Sequence, residues 1–162
     1  MKAVTLTQPW ASLVAIGAKQ IETRTWAPKY RGPLAIHAGQ GLGPAGGNDG
    51  FIRLCTGSEY IYAALEAAGL VPFTWSIPAL MELPRGAIIA TCELVACGQI
   101  RADGIYDLGH NKGAKLADLP AEPELSFGDY APFRVAWFLS NIKRLPEPVP
   151  AKGAMSLWEC KL

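Results

Sequence analysis

Residues 2–26 read KAVTLTQPWASLVAIGAKQIETRTW, and their pattern predicts a strand, a short helix and a second strand. KAVTLT alternates and is rich in β-branched residues, which favours a strand. Thr7 is then an expected helix N-cap, and Pro9 falls in the first turn, where its missing N–H costs nothing. Gly17 is the expected C-terminal stop of the helix. Residues 19–26 alternate again and predict the next strand.

The second strand separates its residues into two faces. Alternation puts Ile21, Thr23 and Thr25 on one face, and it puts four larger polar or aromatic residues on the other, namely Gln20, Glu22, Arg24 and Trp26. Glu22 and Arg24 would have Cα atoms ~6.5–7 Å apart, so they can pair or point at one ligand. On a solvated face the pair would contribute only ~0.2–1 kcal/mol. In a cleft the same pair would hold the guanidinium as a rigid fork for a phosphate or a base edge.

The first half of the remaining chain predicts one strand, one loop and a helical region. LAIHA at 34–38 is apolar and predicts a short buried strand. The glycine-rich stretch 39–50 predicts a flexible loop. The apolar spacing over 51–69 predicts helical segments, with Ser58 as an N-cap and Gly69 as a stop.

The second half predicts mostly strands. Residues 86–100 are long and apolar and predict a strand, and residues 133–145 predict another. Residues 101–127 are polar and predict a loop with a short helix around 114–119. PEPVPAKG at 146–153 predicts a stiff proline linker, and 154–160 a last strand. The expected fold is α+β and mostly β, a small β-barrel decorated by helices.

Length and composition indicate one folded, soluble domain spanning 1–162. Half of the 162 residues are hydrophobic and 18% are charged, which excludes a disordered chain. No apolar run approaches the ~18 residues of a membrane span, and the N-terminus lacks the apolar core of a signal peptide. We therefore expect a cytoplasmic monomer that does not bind membranes.

The cysteine and histidine pattern predicts no metal site and no cofactor. The chain has four cysteines without a C-x-x-C pair, and His37 and His110 lie far apart in the sequence. Reduced, buried thiols are therefore expected.

Positive charge is concentrated at the N-terminal end of the chain. The net charge is only +1, which argues against a protein that coats nucleic acid without specificity. Residues 1–31 nevertheless carry five basic side chains and one acid, Glu22. A compact basic site of this kind suits a few phosphates or an anionic ligand better than a long duplex.

The stretch LTQPWASLVAIGAKQIETRTW, followed by YRGPLAIHA, resembles the start of an ASCH domain (activating signal cointegrator homology). The family signature G-x-K-x-x-E-x-R is matched by Gly17, Lys19, Glu22 and Arg24. GAIIATCELVAC and the block from FGDYAPFR to SLWEC also resemble the family, in its bacterial and phage-type single-domain members. Residues 39–80 and 101–124 are the unmatched loops.

The resemblance implies a PUA-like fold, a small antiparallel β-barrel with peripheral helices, and a ligand cleft lined by the signature. Domains of this superfamily commonly bind RNA. The candidate ligand-binding residues are Lys19, Glu22, Arg24, Trp26, Arg31, His37, Asp129, Tyr130 and Arg134. Basic members would contact phosphate, and Trp26 or Tyr130 would stack on bases. For each residue the alternative is an ordinary solvated or core position.

Three functional classes remain open from the sequence. The first is a module that binds RNA or another nucleic acid or nucleotide. The second is a hydrolase in the same cleft, with Lys19 and Glu22 as catalytic residues, acting on RNA or on a modified nucleoside. Amidohydrolases of the superfamily that deacylate N4-acylated cytidine carry a threonine nucleophile where this chain has Glu22, and a carboxylate cannot perform that step. The third class is a protein-interaction module.

Overall fold

The computed structural model of the chain describes residues 1–42 and 47–162. Within these ranges the strands are β1 Lys2–Gln8, β2 Ile21–Arg24, β3 Gly32–Leu42, β4 Ala87–Arg101, β5 Gly104–Asp107, β6 Lys115–Ala117, β7 Val135–Pro150 and β8 Leu157–Glu159. The α-helices are α1 Trp10–Ala15, α2 Gly47–Gly57, α3 Glu59–Ala67 and α4 Ile77–Met81, and a 3₁₀ helix spans Glu124–Phe127.

One mixed sheet of eight strands forms the body of the protein. Its main path runs β2-β7-β4-β3-β1-β8, and β5 pairs with β4 and β6. β1 and β3 are parallel, whereas the other pairs are antiparallel. Within the described ranges no ladder joins β2 to β8, so the sheet is open and barrel-like. The expected mixed, mostly β fold is confirmed, and the expected small β-barrel takes the form of a barrel-like sheet that is not closed.

The opening in the sheet follows from the shortness of β8. β8 pairs with β1 only from Lys2 to Val4, so β1 continues beyond its partner from Thr5 onward. β2 is also short, with four residues paired to β7. The gap between the end of β1 and the edge of β2 is called the seam below.

Two apolar clusters hold α1 between the sheet and the other helices. Val14 of α1 packs against the sheet with Ile36 and Trp137, all fully buried. Leu13 packs on the opposite side with the helical cluster that includes Phe51. Each such side chain stabilises the fold by about 1.5–3 kcal/mol. Because both faces of α1 are buried, the chain that leaves its C-terminus is held firmly beside the seam.

The predicted start of α1 is wrong in one detail, and its predicted end is confirmed. Pro9 occupies the N-cap position, and Thr7 does not cap the helix. The buried side chain of Gln8 accepts a hydrogen bond from the Ser12 N–H at 3.1 Å instead, and it also donates to a carbonyl of the α4–β4 loop. Gly17 has φ +77°, the left-handed conformation that favours glycine, and ends the helix.

Three other predicted elements differ from the structure. Residues 39–42 of the predicted loop extend β3, and 47–50 begin α2, while 43–46 lie outside the described residues. The helix predicted around 114–119 is instead the short strand β6, which continues the β5 hairpin. The proline segment at 146–150 continues β7.

The prolines fit β7 because they fall on alternate positions, 146, 148 and 150. Alternate residues direct their N–H groups to the same side of a strand. On that side β7 pairs with β2 only over 135–138, so no partner strand requires the missing donors.

Candidate functional site

A cleft of about 490 Å³ opens at the seam. Its walls come from Thr5–Thr7 of β1, from Glu22–Arg24 of β2 and from the loop Ser126–Asp129. Lys19, Trp10, Leu54 and Arg134 complete the lining. We call this space the seam cleft. Lys19, Glu22 and Arg24 of the G-x-K-x-x-E-x-R signature therefore meet the loop before β7 at one site.

Lys19 lies at the base of the seam cleft with its side chain 1% exposed. Its backbone N–H donates to the Leu13 carbonyl at 3.0 Å, which fixes the chain just after the turn at Gly17. Its Nζ donates to the Ile21 carbonyl and lies 3.7 Å from Glu22 Oε2. Burial lowers the pKa of Lys19, although the neighbouring carboxylates oppose this shift. The ammonium is therefore held by carboxylates in a dry environment.

Arg24 spans the seam. Its Nη2 donates to the Thr5 carbonyl at 2.7 Å, which joins β2 to the unpaired part of β1. Its Nε lies 3.0 Å from Glu22 Oε1 but makes no hydrogen bond within the described residues. The Glu22–Arg24 contact is therefore an ion pair with poor hydrogen-bond alignment. Glu22 stands between two cations, Lys19 and Arg24.

Asp129 and Arg134 form the outer rim of the seam cleft. Arg134 Nε lies 3.3 Å from Asp129 Oδ2, and Arg134 Nη2 donates to the Thr23 carbonyl at 3.1 Å. The Asp129 N–H donates to Thr23 Oγ1 at 3.2 Å, which ties the loop to β2. Each of the three lining cations thus has a carboxylate within 4 Å. The charge of the seam cleft is close to balanced, although the N-terminal sequence is rich in basic residues.

Glu124 was not found by the sequence reasoning, yet it supports the base of the site. Its Oε2 accepts from the Gln20 N–H at 2.7 Å, and its Oε1 accepts from the Ile21 N–H at 3.2 Å. Lys19 Nζ lies 4.0 Å from the same carboxylate. No local motif could reveal this role, since Glu124 is more than a hundred residues away along the chain.

Tyr130 lies behind the seam cleft. The residue is buried against Ile100, Ile105 and Ala136, and its hydroxyl donates to Glu124 Oε1 at 3.0 Å. Burial raises the pKa of Tyr130. Its ring is packed in the protein core and presents no face for base stacking in this conformation.

Trp26, Arg31 and His37 also lie outside the seam cleft. Trp26 follows β2 and packs edge-to-face on Trp137 with ring centroids 4.7 Å apart. Arg31 donates to the carbonyls of its own turn, at Pro28 and Tyr30. His37 is 1% exposed, and its Nε2 lies 3.0 Å from the Ala151 carbonyl. The seam cleft therefore contains five of the nine candidate residues, namely Lys19, Glu22, Arg24, Asp129 and Arg134.

Thr23 and Trp10 line the seam cleft although neither was a candidate residue. Alternation assigned Thr23 to the face opposite Glu22, but the loop Ser126–Asp129 folds over the end of β2, so both residues border the same space. Trp10 is half-buried and also lines the cleft. For Thr23, a contact with a loop more than a hundred residues away decides the position.

Gly128 allows that loop to approach β2. A Cβ added to Gly128 would lie 2.8 Å from the Tyr130 ring, 3.3 Å from Lys19 Nζ and 3.3 Å from Thr23 Cγ2. Its backbone is extended, so the reason for glycine is space and not a positive φ. A larger residue would push the loop away from the base of the seam cleft.

The cysteines do not contribute to the site. Cys55, Cys92 and Cys97 are buried, and burial raises the pKa of Cys55 to about 12. Cys160 is half-buried. In the part of the chain that the structure describes, no three histidine, cysteine or acidic side chains lie together as metal ligands. No helix there is long and apolar enough to cross a membrane.

Comparison with known families identifies the domain. The profile of the ASCH domain matches residues 4–145, which run from within β1 to within β7 and include every charged side chain of the seam cleft. No curated protein matches the chain. The family has a PUA-like fold, which agrees with the open, barrel-like sheet. The chain therefore belongs to the ASCH domain family.

Proposed function

We propose that the protein is a nucleic-acid-binding module whose seam cleft accepts one unpaired base of a single strand, preferably RNA. The observation that carries this proposal is a row of three ion-paired side chains, Lys19, Glu22 and Arg24, which line the seam cleft. This row presents both hydrogen-bond donors and acceptors to a ligand. Membership of a family that often binds RNA supports it further.

The chemistry of the row favours a base over a phosphate. Glu22 Oε atoms can accept from an amino or imino N–H, and the Arg24 guanidinium can donate to a ring nitrogen or a carbonyl. A phosphate placed beside Lys19 or Arg24 would also lie close to Glu22 and would be repelled by it. A neutral base edge with both donors and acceptors meets no such repulsion.

The recessed position of these groups favours a single strand. A base in a duplex keeps its pairing edge occupied, whereas an unpaired base can enter a cleft and meet side chains on that edge. The half-buried Trp10 offers an aromatic face at the cleft wall. Stacking on such a face contributes about 1–3 kcal/mol per base.

A hydrolase acting on RNA in the same cleft is the second candidate, and the buried Lys19 favours it. Burial lowers the pKa of Lys19, which brings the amine closer to a pKa useful for proton transfer. RNA supplies its own 2′-hydroxyl as nucleophile, so the protein need only move protons and stabilise charge. Deacylation of a modified nucleoside fits less well, because Glu22 occupies the position of the threonine nucleophile and Thr23 Oγ1 accepts from the Asp129 N–H.

Fluorescence anisotropy with labelled eight-nucleotide RNA, the same DNA sequence and the RNA duplex tests the proposal. We expect the single strands to bind and the duplex to bind more weakly. Glu22→Gln and Arg24→Lys should each weaken binding about 10-fold to 100-fold, since hydrogen bonds to charged groups contribute ~1.5–3 kcal/mol. Lys112→Ala, an exposed lysine outside the seam cleft, is the control.

The same samples, resolved on a denaturing gel, distinguish binding from cleavage. Intact RNA supports the binding module, whereas products that persist in a chelator and disappear with Lys19→Met support the hydrolase. Unchanged affinity in both Glu22→Gln and Arg24→Lys would refute the assignment of the seam cleft. Absence of binding to any of the three nucleic acids would refute the proposed function.

A further inference from the structure

We infer that a single strand seated in the seam cleft continues past Arg24 and Trp26 into a second binding site beside Lys152. This inference rests on the proposed function and names the path of the nucleic acid beyond the first base. The second site takes a phosphate of the same strand.

Three neighbouring spaces share lining residues around Thr5 of β1. A middle hollow of about 400 Å³ lies next to the seam cleft, and Arg24 and Thr5 line both. An outer hollow of about 780 Å³ follows, and Ala154 and Met155 line it together with the middle hollow. Thr5 borders all three spaces. We take the three spaces, which share these walls, as one groove across the seam.

The segment 151–156 forms the floor and the far wall of this groove and is well anchored. Thr5 Oγ1 donates to the Ala154 carbonyl at 3.1 Å, and the Ala151 carbonyl lies 3.0 Å from His37 Nε2. Gly153 sits so close to His37 that a Cβ would lie 2.5 Å from the ring. The groove therefore exists in the folded protein and does not require a rearrangement to form.

The distribution of charge along the groove identifies where a phosphate would bind. In the seam cleft every cation has a carboxylate partner. Lys152 lines the outer hollow and is exposed, and no carboxylate of the described residues lies within 4 Å of its Nζ. A phosphate at Lys152 thus gains attraction without opposing charge.

The middle hollow offers an aromatic ring and a thioether between the charged row of the seam cleft and Lys152. Trp26 is half-buried beside it, and Met155 is 92% exposed at its rim. An aromatic ring and a flexible thioether suit the faces of a base or sugar in transit. The groove thus offers a base site, then apolar side chains, then a cation. This order matches the bases, sugars and phosphates of a single strand, whereas a folded protein partner would need a broader apolar face.

Affinity as a function of oligonucleotide length tests the inference. Uridine monophosphate and oligouridylates of two, four, six and eight nucleotides are titrated into wild type, Lys152→Ala, Met155→Glu and two controls. Lys112→Ala is the matched lysine control, and Val95→Glu introduces the same charge at another exposed apolar position. Both test positions are exposed, so the variants are expected to fold, and thermal melts verify this.

We expect wild-type affinity to rise with length until the groove is filled. Lys152→Ala should lower the affinity of the longer oligomers about 3-fold to 10-fold, leave the mononucleotide unchanged and reduce the salt slope by ~0.7. Met155→Glu should lower the same affinities through repulsion, and neither control should change them.

Three outcomes overturn the inference, and they can be told apart from failure of the proposed function. A wild-type affinity that does not rise with length refutes the extended path. A length dependence that is unchanged in both Lys152→Ala and Met155→Glu refutes this particular groove, while binding by the seam cleft stands. Absence of any binding refutes the proposed function together with its extension.

Discussion

Replacing Lys19 by methionine tests whether charge pairing organises the seam cleft. Lys19 Nζ lies 3.7 Å from Glu22 and 4.0 Å from Glu124, and at an effective dielectric constant of about 20 each contact corresponds to a gross attraction of about 4 kcal/mol. Desolvation of the buried ammonium offsets part of this attraction. Methionine fills nearly the same volume, so the change measures the loss of the polar Nζ contacts, including its hydrogen bond to the Ile21 carbonyl, and not a cavity.

The net loss of stability should be about 3 kcal/mol. Removing one partner of a buried pair costs ~3–5 kcal/mol. Methionine loses the Nζ hydrogen bond to the Ile21 carbonyl and the Nζ contact with Glu22, which even a neutral amine would keep. Here two carboxylates, Glu22 and Glu124, would remain without Lys19, but both are slightly exposed and keep other partners, namely Arg24 and two backbone N–H groups. The lower end of that range is therefore expected.

Urea unfolding at pH 7, followed by tryptophan fluorescence, measures this loss. With a slope of ~2 kcal/mol/M, a loss of about 3 kcal/mol lowers the midpoint by about 1.5 M. Lys115→Met is the control: Lys115 Nζ lies only 2.7 Å from Asp118, but the pair is exposed, so its loss should leave the midpoint nearly unchanged. A double variant, Lys19→Met with Glu124→Gln, should recover part of the stability.

A folded Lys19→Met variant that is as stable as the wild type would refute the stabilising role of the Lys19 contacts. That result would mean that desolvation of Lys19 cancels its attraction to Glu22 and Glu124. An equal loss of stability in Lys115→Met and Lys19→Met would also refute this role, because burial would then not control the strength of these ion pairs.

Three further predictions follow from the same contacts. Gly128→Ala would force the loop away from the Tyr130 ring and should lower the free energy of unfolding in urea by about 1–3 kcal/mol. A variant with wild-type stability and unchanged RNA affinity would contradict the close packing of Gly128 on Tyr130. Gly153→Ala should displace the segment 151–156 from His37. The variant should bind long oligonucleotides more weakly than the wild type and bind the mononucleotide equally well. An equal loss of affinity for both ligands would argue against a separate outer site. Because burial lowers the native pKa of Lys19 below 10.5, the unfolded state binds more protons between these two pKa values. The stability of wild type relative to Lys19→Met should therefore rise with pH in that window, and a flat difference up to pH 10.5 would contradict the lowered pKa.

Elements with a strong local pattern could be predicted from the sequence. The long strand over 86–100 and the strand over 133–145 were confirmed, because their apolar runs fix both type and position. Ser58 and Gly69 were confirmed as helix signals, since capping depends on residues within a few positions. Gln8 could not be predicted as the group that satisfies the start of α1, because its burial depends on the loop before β4.

The candidate site was only partly predictable for the same physical reason. Lys19, Glu22 and Arg24 lie within six positions, so their proximity follows from the local chain. Glu124 reaches them only through the fold, and it accepts hydrogen bonds from backbone N–H groups, which leave no sequence signal. Tyr130 was expected to stack on bases, but its hydroxyl donates to Glu124 and its ring packs in the core.

These remote contacts change the chemistry expected of the signature. The first 31 residues of the sequence carry five basic side chains and one acidic side chain, a pattern that suggests phosphate binding. In the fold, Glu124 and Asp129 arrive from the loop before β7 and meet Lys19 and Arg134. A site whose cations are already paired gains little from another anion but retains its donors and acceptors. Recognition of a base edge in the seam cleft, with the phosphate contact displaced to Lys152, is the arrangement that this distribution of charge supports.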